Sequence, residues 1–230
     1  MPQVQIAAAG DAALLVSLPQ VIDVHINAWC VAFAQEITDR YGAAVRDAVV
    51  GYASVTVYFD PLLVGPEWLE RELQDLAAGM PSVTARSGAV VDVPVLYGGE
   101  MGPDIEDVAR FGGCAVADVI AWHAAVTYRV YLVGFVPGFA YLATVDPRIA
   151  APRRATPRLA VPAGSVAIAG GQTGIYPDVT PGGWNIIGRT PLAPFDPARE
   201  PACVFTPGDQ VRFRSIDASE FADASAGRTH

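Results

Sequence analysis

The chain of 230 residues contains no lysine, so all 15 of its basic residues are arginine. It can therefore supply no Schiff-base lysine, no lysine general base and no Walker-A phosphate-binding lysine. Cysteine is scarce: Cys30, Cys114 and Cys203 are an odd number without C-x-x-C spacing. That usage suits a reducing compartment and argues against a disulfide framework. The three histidines, His25, His123 and His230, are scattered, and no metal-ligand cluster is visible. Positive charge is in deficit, with 15 basic against 24 acidic residues and a formal net charge of -9. Such a field repels phosphate backbones and anionic headgroups, which makes nucleic acid and membrane poor partners. Long apolar runs are missing too. The longest uncharged apolar stretch, Val130 to Val145, is broken by Gly134, Pro137 and Gly138 and falls short of the ~20 residues of a spanning helix. Met1 to Gln20 lacks a cationic region before its apolar residues, so no signal peptide is read and the cytoplasm is the expected location.

What is present is apolar material: hydrophobic residues make up 52% of the chain and charged ones 17%, the balance of a compact globular protein. The first third alternates between two periods. Leu14 to Leu18 reads as a strand. Ile22, Ile26, Trp29, Phe33 and Ile37 fall on one helical stripe between Val21 and Arg40. Val49 to Phe59 alternates with period two and ends at Asp60-Pro61, and Pro66 opens a second amphipathic helix carrying Leu69, Leu73 and Leu76. A strand near Val90 to Leu96 completes the count. This order predicts an α+β protein whose N-terminal domain, residues 1–85, is a ferredoxin-like split βαβ unit. Residues 86–230 change texture. Short helices around Asp104 to Arg110 and Ala117 to Ala124 precede short strands at Tyr128 to Val133, Ser165 to Ala169, Trp184 to Arg189 and Gln210 to Ile216, separated by Pro/Gly turns. This pattern predicts a β-barrel or sandwich. The tail after Asp217 is small and polar and is expected to fray.

Chemistry concentrates between Gly134 and Thr190, where GFVPGFAYL, PRRATPRLAVPAGSVAIAGGQTGIYP and TPGGWNIIGRT follow one another and seven prolines fix the loops between Pro137 and Pro181. Arg148, Arg153, Arg154 and Arg158 place four arginines in eleven residues of an acidic protein. They can fork a carboxylate or phosphate, or pair with Asp146 and the surplus acids on a solvated face. His123, on a short helix, can exchange a proton or be a hydrogen-bonded structural residue, and its neighbours in space decide. Glu100 and Asp104 can act as base or magnesium ligand, although Asp104 after Gly-Pro is also placed to cap a helix. Ser165 lacks the nucleophile elbow of a serine hydrolase.

Together with YGGE-GPD at Tyr97 to Asp104, His123, and PGDQVRF at Pro207 to Phe213, these segments resemble the family named after KipI. That family is described as the B subunit of prokaryotic ATP-dependent 5-oxoprolinase, as allophanate hydrolase subunit 1, or as an inhibitor of a sporulation histidine kinase. The resemblance covers nearly the whole chain. It implies a C-terminal cyclophilin-like barrel and two partners, a KipA-like C subunit and the A subunit of 5-oxoprolinase. It also implies an activity that exists only in the complex: opening of 5-oxoproline to L-glutamate at the expense of ATP and Mg2+. Related domains in urea carboxylase imply carboxyl transfer as an alternative, and kinase inhibition is a second; for carboxyl transfer another polypeptide must carry the biotinyl lysine. The candidate catalytic residues are His123, Arg158 and Glu100. The candidate substrate-binding residues are Phe135, Pro137, Gly138, Phe139 and Tyr141 on one loop, Arg153 and Arg154 on the next, and Gly170, Gly171, Gln172, Thr173 and Tyr176 on the third, with His123 facing them.

Overall fold

The structure is a computed structural model and describes residues 4–81, 83–85 and 88–226. The chain divides into two compact units, Met1–Arg86 and Ser87–His230. The expected boundary lies between Ala85 and Arg86; Arg86 and Ser87 are outside the described residues, as is His230.

In the N-terminal unit the order is β1 (Gln5–Ala8), β2 (Ala13–Ser17), α1 (Val24–Tyr41), β3 (Val45–Val50), β4 (Ser54–Phe59) and α2 (Pro66–Gly79). Asp23 starts α1 by accepting hydrogen bonds from the N–H groups of His25 and Ile26 at 2.8 and 2.9 Å. That satisfies two donors which the first helical turn leaves without partners. The stripe then buries Trp29, Phe33 and Ile37. Pro66 sits at the first turn of α2, where its missing N–H costs nothing, and Leu69, Leu73 and Leu76 are buried. Both stripes meet Leu14, Val16, Val55, Val57 and Phe59 in one core.

The region expected as one strand from Val49 to Phe59 is instead a hairpin, in which Gly51 N–H donates to the Ser54 carbonyl at 2.7 Å. The sheet order is β1-β2-β4-β3, antiparallel throughout. Its fourth strand is therefore β1, from the start of the chain, and not the Val90 segment. A strand that pairs only along one edge and is mostly exposed, as β1 is, carries little apolar periodicity by which to be recognised.

The Val90 segment is β5 (Val90–Tyr97), the first strand of the second unit. There follow α3 (Ile105–Gly112), α4 (Val116–Ala124), β6 (Thr127–Val133), β7 (Ala140–Ala143), β8 (Arg158–Val161), β9 (Ser165–Ala169), β10 (Gln172–Ile175), β11 (Thr180–Gly182), β12 (Asn185–Arg189), β13 (Gln210–Ser215) and α5 (Ala218–Ala226). Seven strands close into a barrel in the order β10-β7-β6-β13-β5-β12-β9, the closed barrel the resemblance implies. β5 and β13 pair in parallel, with Val93 opposite Phe213, across some 120 residues of sequence. Val95, Tyr128, Val130, Leu142, Val166, Ile168, Val211 and Phe213 fill the interior, and Ile105, Val108 and Val119 from α3 and α4 join them.

All five residues of β9 are buried because the strand is covered on both faces. Val166 and Ile168 belong to the barrel interior. Ala167 and Ala169 belong to a separate cluster with Phe139, Val161, Tyr176, Trp184 and Ile186. Alternation along a strand thus builds a second, smaller apolar centre outside the barrel wall. β8 and β11 form a two-stranded ribbon beside it. The tail expected to fray is α5, whose start is held by Asp217 accepting from the N–H groups of Ser219 and Glu220; none of its residues is buried.

Candidate functional site

The apolar centre outside the barrel is the floor of a cleft of about 310 Å³ lined by Phe135, Phe139, Tyr141, Arg153, Arg154, Pro157, Tyr176, Pro181, Gly182, Gly183 and Trp184. One wall comes from the turn between β6 and β7. Gly134 N–H donates to the Phe139 carbonyl at 3.0 Å and Phe139 N–H to that of Val136 at 3.1 Å, which closes the turn around Pro137 and Gly138. Gly138 has φ 82°, and a Cβ there would collide with Phe195. Phe135 has φ 71°, a left-handed backbone at a bulky residue, and stays 61% exposed at the mouth. Phe139 is the centre of the wall. Its ring meets those of Phe135, Tyr141, Tyr176 and Trp184 edge-on, at centroid distances of 5.8, 4.7, 5.1 and 5.5 Å. Edge-to-face pairs of this kind leave other ring faces available to a flat ligand. Burial raises the phenol pKa of Tyr141 and of Tyr176 above the ordinary value, although the positive charge of Arg153 pulls both the other way.

The opposite wall is the loop 150–158. Arg154 N–H donates to the Gly183 carbonyl at 2.8 Å, which ties this loop to the turn before β12. Gly182 is required where it is because a Cβ would run into the Tyr176 hydroxyl. Arg153 lies over the Trp184 ring, 5.9 Å from its centroid, within the range of a cation–π attraction.

Behind this loop sits Asp104, whose side chain is 3% exposed. Arg158 forks it, Nη1 to Oδ2 and Nη2 to Oδ1, both at 2.8 Å. Arg154 Nη1 donates to Oδ1 at 2.6 Å and the Ile186 N–H to Oδ2 at 2.8 Å. Asp104 returns its own N–H to the Ile186 carbonyl at 2.9 Å. Its hydrogen bonds also hold Arg158 further into its charged form. The capping reading of Asp104 is thereby corrected: it stands at the N-cap position of α3 but makes no side-chain cap bond there. Two guanidiniums compete for the same carboxylate, and charge-assisted pairs outweigh a cap. Arg158 is corrected as well, because the fork it makes is internal. Of the remaining cluster, Arg148 pairs with Asp146 at 2.7 Å and Arg153 has no carboxylate partner among the described residues.

His123 meets Thr173 of the third segment, but inside the barrel and not on the cleft wall. It is fully buried inside the barrel, 4.5 Å from the Phe213 ring centroid. Thr173 Oγ1 donates to the Ala167 carbonyl at 3.0 Å, so it accepts from His123 Nε2 at 2.9 Å, and Nδ1 then accepts from the Tyr97 hydroxyl at 2.8 Å. Neutral imidazole satisfies every group in that chain. Burial pushes the His123 pKa down from 6.5 to about 3. Thr173 is consumed in the same chain. Gly170 and Gly171 form the β9–β10 turn with Gln172 after it, none of them on the cleft wall, and Glu100 is exposed in the turn after β5. The loop residues Pro137 and Gly138 shape the wall without lining it. Pro157, Pro181, Gly182, Gly183 and Trp184 line it without being among the expected site residues, although the tryptophan after Pro-Gly-Gly is the signal that marks them. Among the described residues no three His, Cys, Asp or Glu are grouped to hold a metal ion, and no helix is long and apolar enough to cross a membrane.

Residues 4–205 match the carboxyltransferase domain family, subdomains C and D. The chain is 37% identical over 227 residues to the 5-oxoprolinase B subunit of Bacillus subtilis, covering 94% of this chain and 95% of that protein. Among solved structures, TTHA0988 superposes with a TM-score of 0.79 at 36% identity over 90% of this chain. This chain spans 40% of the length of TTHA0988. The urea carboxylase of Kluyveromyces lactis superposes with a TM-score of 0.81 over 96% of this chain and 22% of that one, and at 19% identity it shows a common fold. The chain thus belongs to the carboxyltransferase subdomain C and D family, among the proteins named as the B subunit of 5-oxoprolinase.

Proposed function

We propose that this chain is the B subunit of a cytoplasmic ATP-dependent 5-oxoprolinase that opens 5-oxoproline to L-glutamate together with a KipA-like C subunit and an A subunit, and that the aromatic cleft is its contribution to the substrate site. The observation that carries this reading is the match to the Bacillus subtilis protein over nearly the full length of both chains. The cleft suits it chemically. A five-membered lactam is flat and resonance-stabilised, so it stacks on aromatic rings and resists direct hydrolysis, and its opening needs activation by phosphoryl transfer. The cleft offers rings and guanidiniums. Its wall carries no carboxylate, lysine or nucleophile held by a base, so the Mg2+ and ATP chemistry fits the assembled complex.

The test is co-expression with candidate A and C subunits and an assay of ATP-dependent glutamate release. The complex turns over 5-oxoproline and the isolated chain does not. Robust turnover by the isolated chain refutes the division of labour. An assembled complex that is inert towards 5-oxoproline refutes the substrate, and carboxylation of an amide in the presence of a biotin carrier then favours the carboxyltransferase reading.

A further inference from the structure

Arg154 uses only part of its guanidinium. Nη1 is pinned on Asp104 at 2.6 Å, while Nε is buried without any hydrogen-bond partner, and the residue lines the cleft. The Arg154 side chain is 31% exposed, so the guanidinium donors that Asp104 does not take can meet an anion in the cleft. Arg153, next in sequence, lines the same cleft, has no carboxylate partner among the described residues and is held over Trp184. Arg158 is different: both its terminal nitrogens are taken by Asp104. The charges add in the same sense. Arg154 and Arg158 against Asp104 leave one net positive charge, and Arg153 adds a second, in a protein whose formal net charge is -9. An anion entering the cleft therefore meets two guanidiniums above an aromatic floor.

We propose that Arg153 and Arg154 form a clamp for the carboxylate of a small cyclic amide whose ring lies against the Phe139–Trp184 wall, and that Asp104 and Arg158 are positioning residues that aim Arg154. This rests on the 5-oxoprolinase reading and adds to it which group of the substrate this chain recognises. Asp104 is suited to aiming because it binds Arg154, Arg158 and the backbone of Ile186 at once and so fixes the loop against β12. The reacting lactam oxygen is left to the partner proteins.

The clamp is tested in the assembled complex by comparing 5-oxoproline with 2-pyrrolidinone, the same ring without its carboxylate, as a competitive inhibitor. Arg153→Gln and Arg154→Lys each raise the KM for 5-oxoproline about 10- to 100-fold, the range of a lost hydrogen bond to a charged group, and leave inhibition by 2-pyrrolidinone as in the wild type. Lysine keeps the charge at position 154, so its failure to rescue shows that fork geometry matters. Asp104→Asn raises KM more than it lowers kcat, with 2-pyrrolidinone inhibition and a thermal melt as controls that the cleft is still formed. If the arginine variants weaken both ligands equally, or neither, the clamp is wrong while the functional reading stands. If the wild-type complex binds 2-pyrrolidinone but not 5-oxoproline, the clamp and its ligand class both fall. If the complex ignores both, the functional reading falls first.

Discussion

In the N-terminal unit the salt bridges lie near home and in water. Asp23 caps its own helix, Arg40 reaches Glu36 one turn away, and Arg46 meets Asp60 with 63% of its side chain exposed. In the barrel unit the decisive bonds are buried and long-range. Asp104 holds arginines 50 and 54 residues away, and His123 holds Thr173 at a separation of 50. Both units fill a core with aliphatic and aromatic side chains, so apolar burial does not distinguish them. The difference lies in where charge is taken out of water. Taking it out is costly unless it is fully paired. The unit that does so also has the cleft, and its buried pairs hold the cleft's walls in place.

Substitutions can break this contrast. The largest effect is expected at Asp104. Asp104→Ala strands two arginines and the Ile186 N–H and is expected to destabilise the barrel unit by about 3 to 5 kcal/mol in urea unfolding. Next comes His123→Ala, which empties a filled site and orphans Tyr97 and Thr173, for about 2 to 4 kcal/mol. His123 also gives the contrast a pH signature. Its folded pKa of about 3 lies below the ordinary 6.5, so between those values the unfolded chain binds the extra proton. The stability it contributes is full above about pH 6.5 and is lost as the pH falls towards 3. The melting temperature of a His123→Gln variant should therefore fall less steeply with acid than that of the wild type over this window, and equal slopes would show that the buried imidazole is not the cause. The smallest effect is expected at Asp23→Ala, which removes a solvent-exposed cap and lowers the melting temperature of the N-terminal unit by a few degrees. If Asp23→Ala proves as damaging as Asp104→Ala, the two units do not differ as described.

The same contrast explains what could be read from the sequence. α1 and α2 were legible because their stripes lie within one stretch of chain, with Pro66 marking the start of the second. The strands β6, β9, β12 and β13 were legible from apolar runs between Pro/Gly turns. The sheet to which the Val90 strand belongs was not, because its partner β13 lies some 120 residues on and no local pattern encodes that choice. The loops of the cleft were legible as loops, and Phe135, Phe139, Tyr141, Arg153, Arg154 and Tyr176 do meet there. The roles of Asp104, Arg158 and His123 were not, since a residue type announces what it can do and only its partners in space show what it does. A capping sequence and a buried ion-pair centre look alike until the arginines arrive.

Phe135, held with φ 71° at the mouth of the cleft, sets durability and recognition against each other. A left-handed backbone costs a residue with a side chain about 1 kcal/mol or more, which glycine does not incur. Phe135→Gly is thus the rare truncation that relieves the chain, whereas Phe135→Ala keeps the strain and loses the ring. Selection for thermal endurance alone would drift this position towards glycine. The phenylalanine there, more than half in solvent, holds its ring beside Phe139 at the cleft mouth at a backbone cost that glycine would not incur.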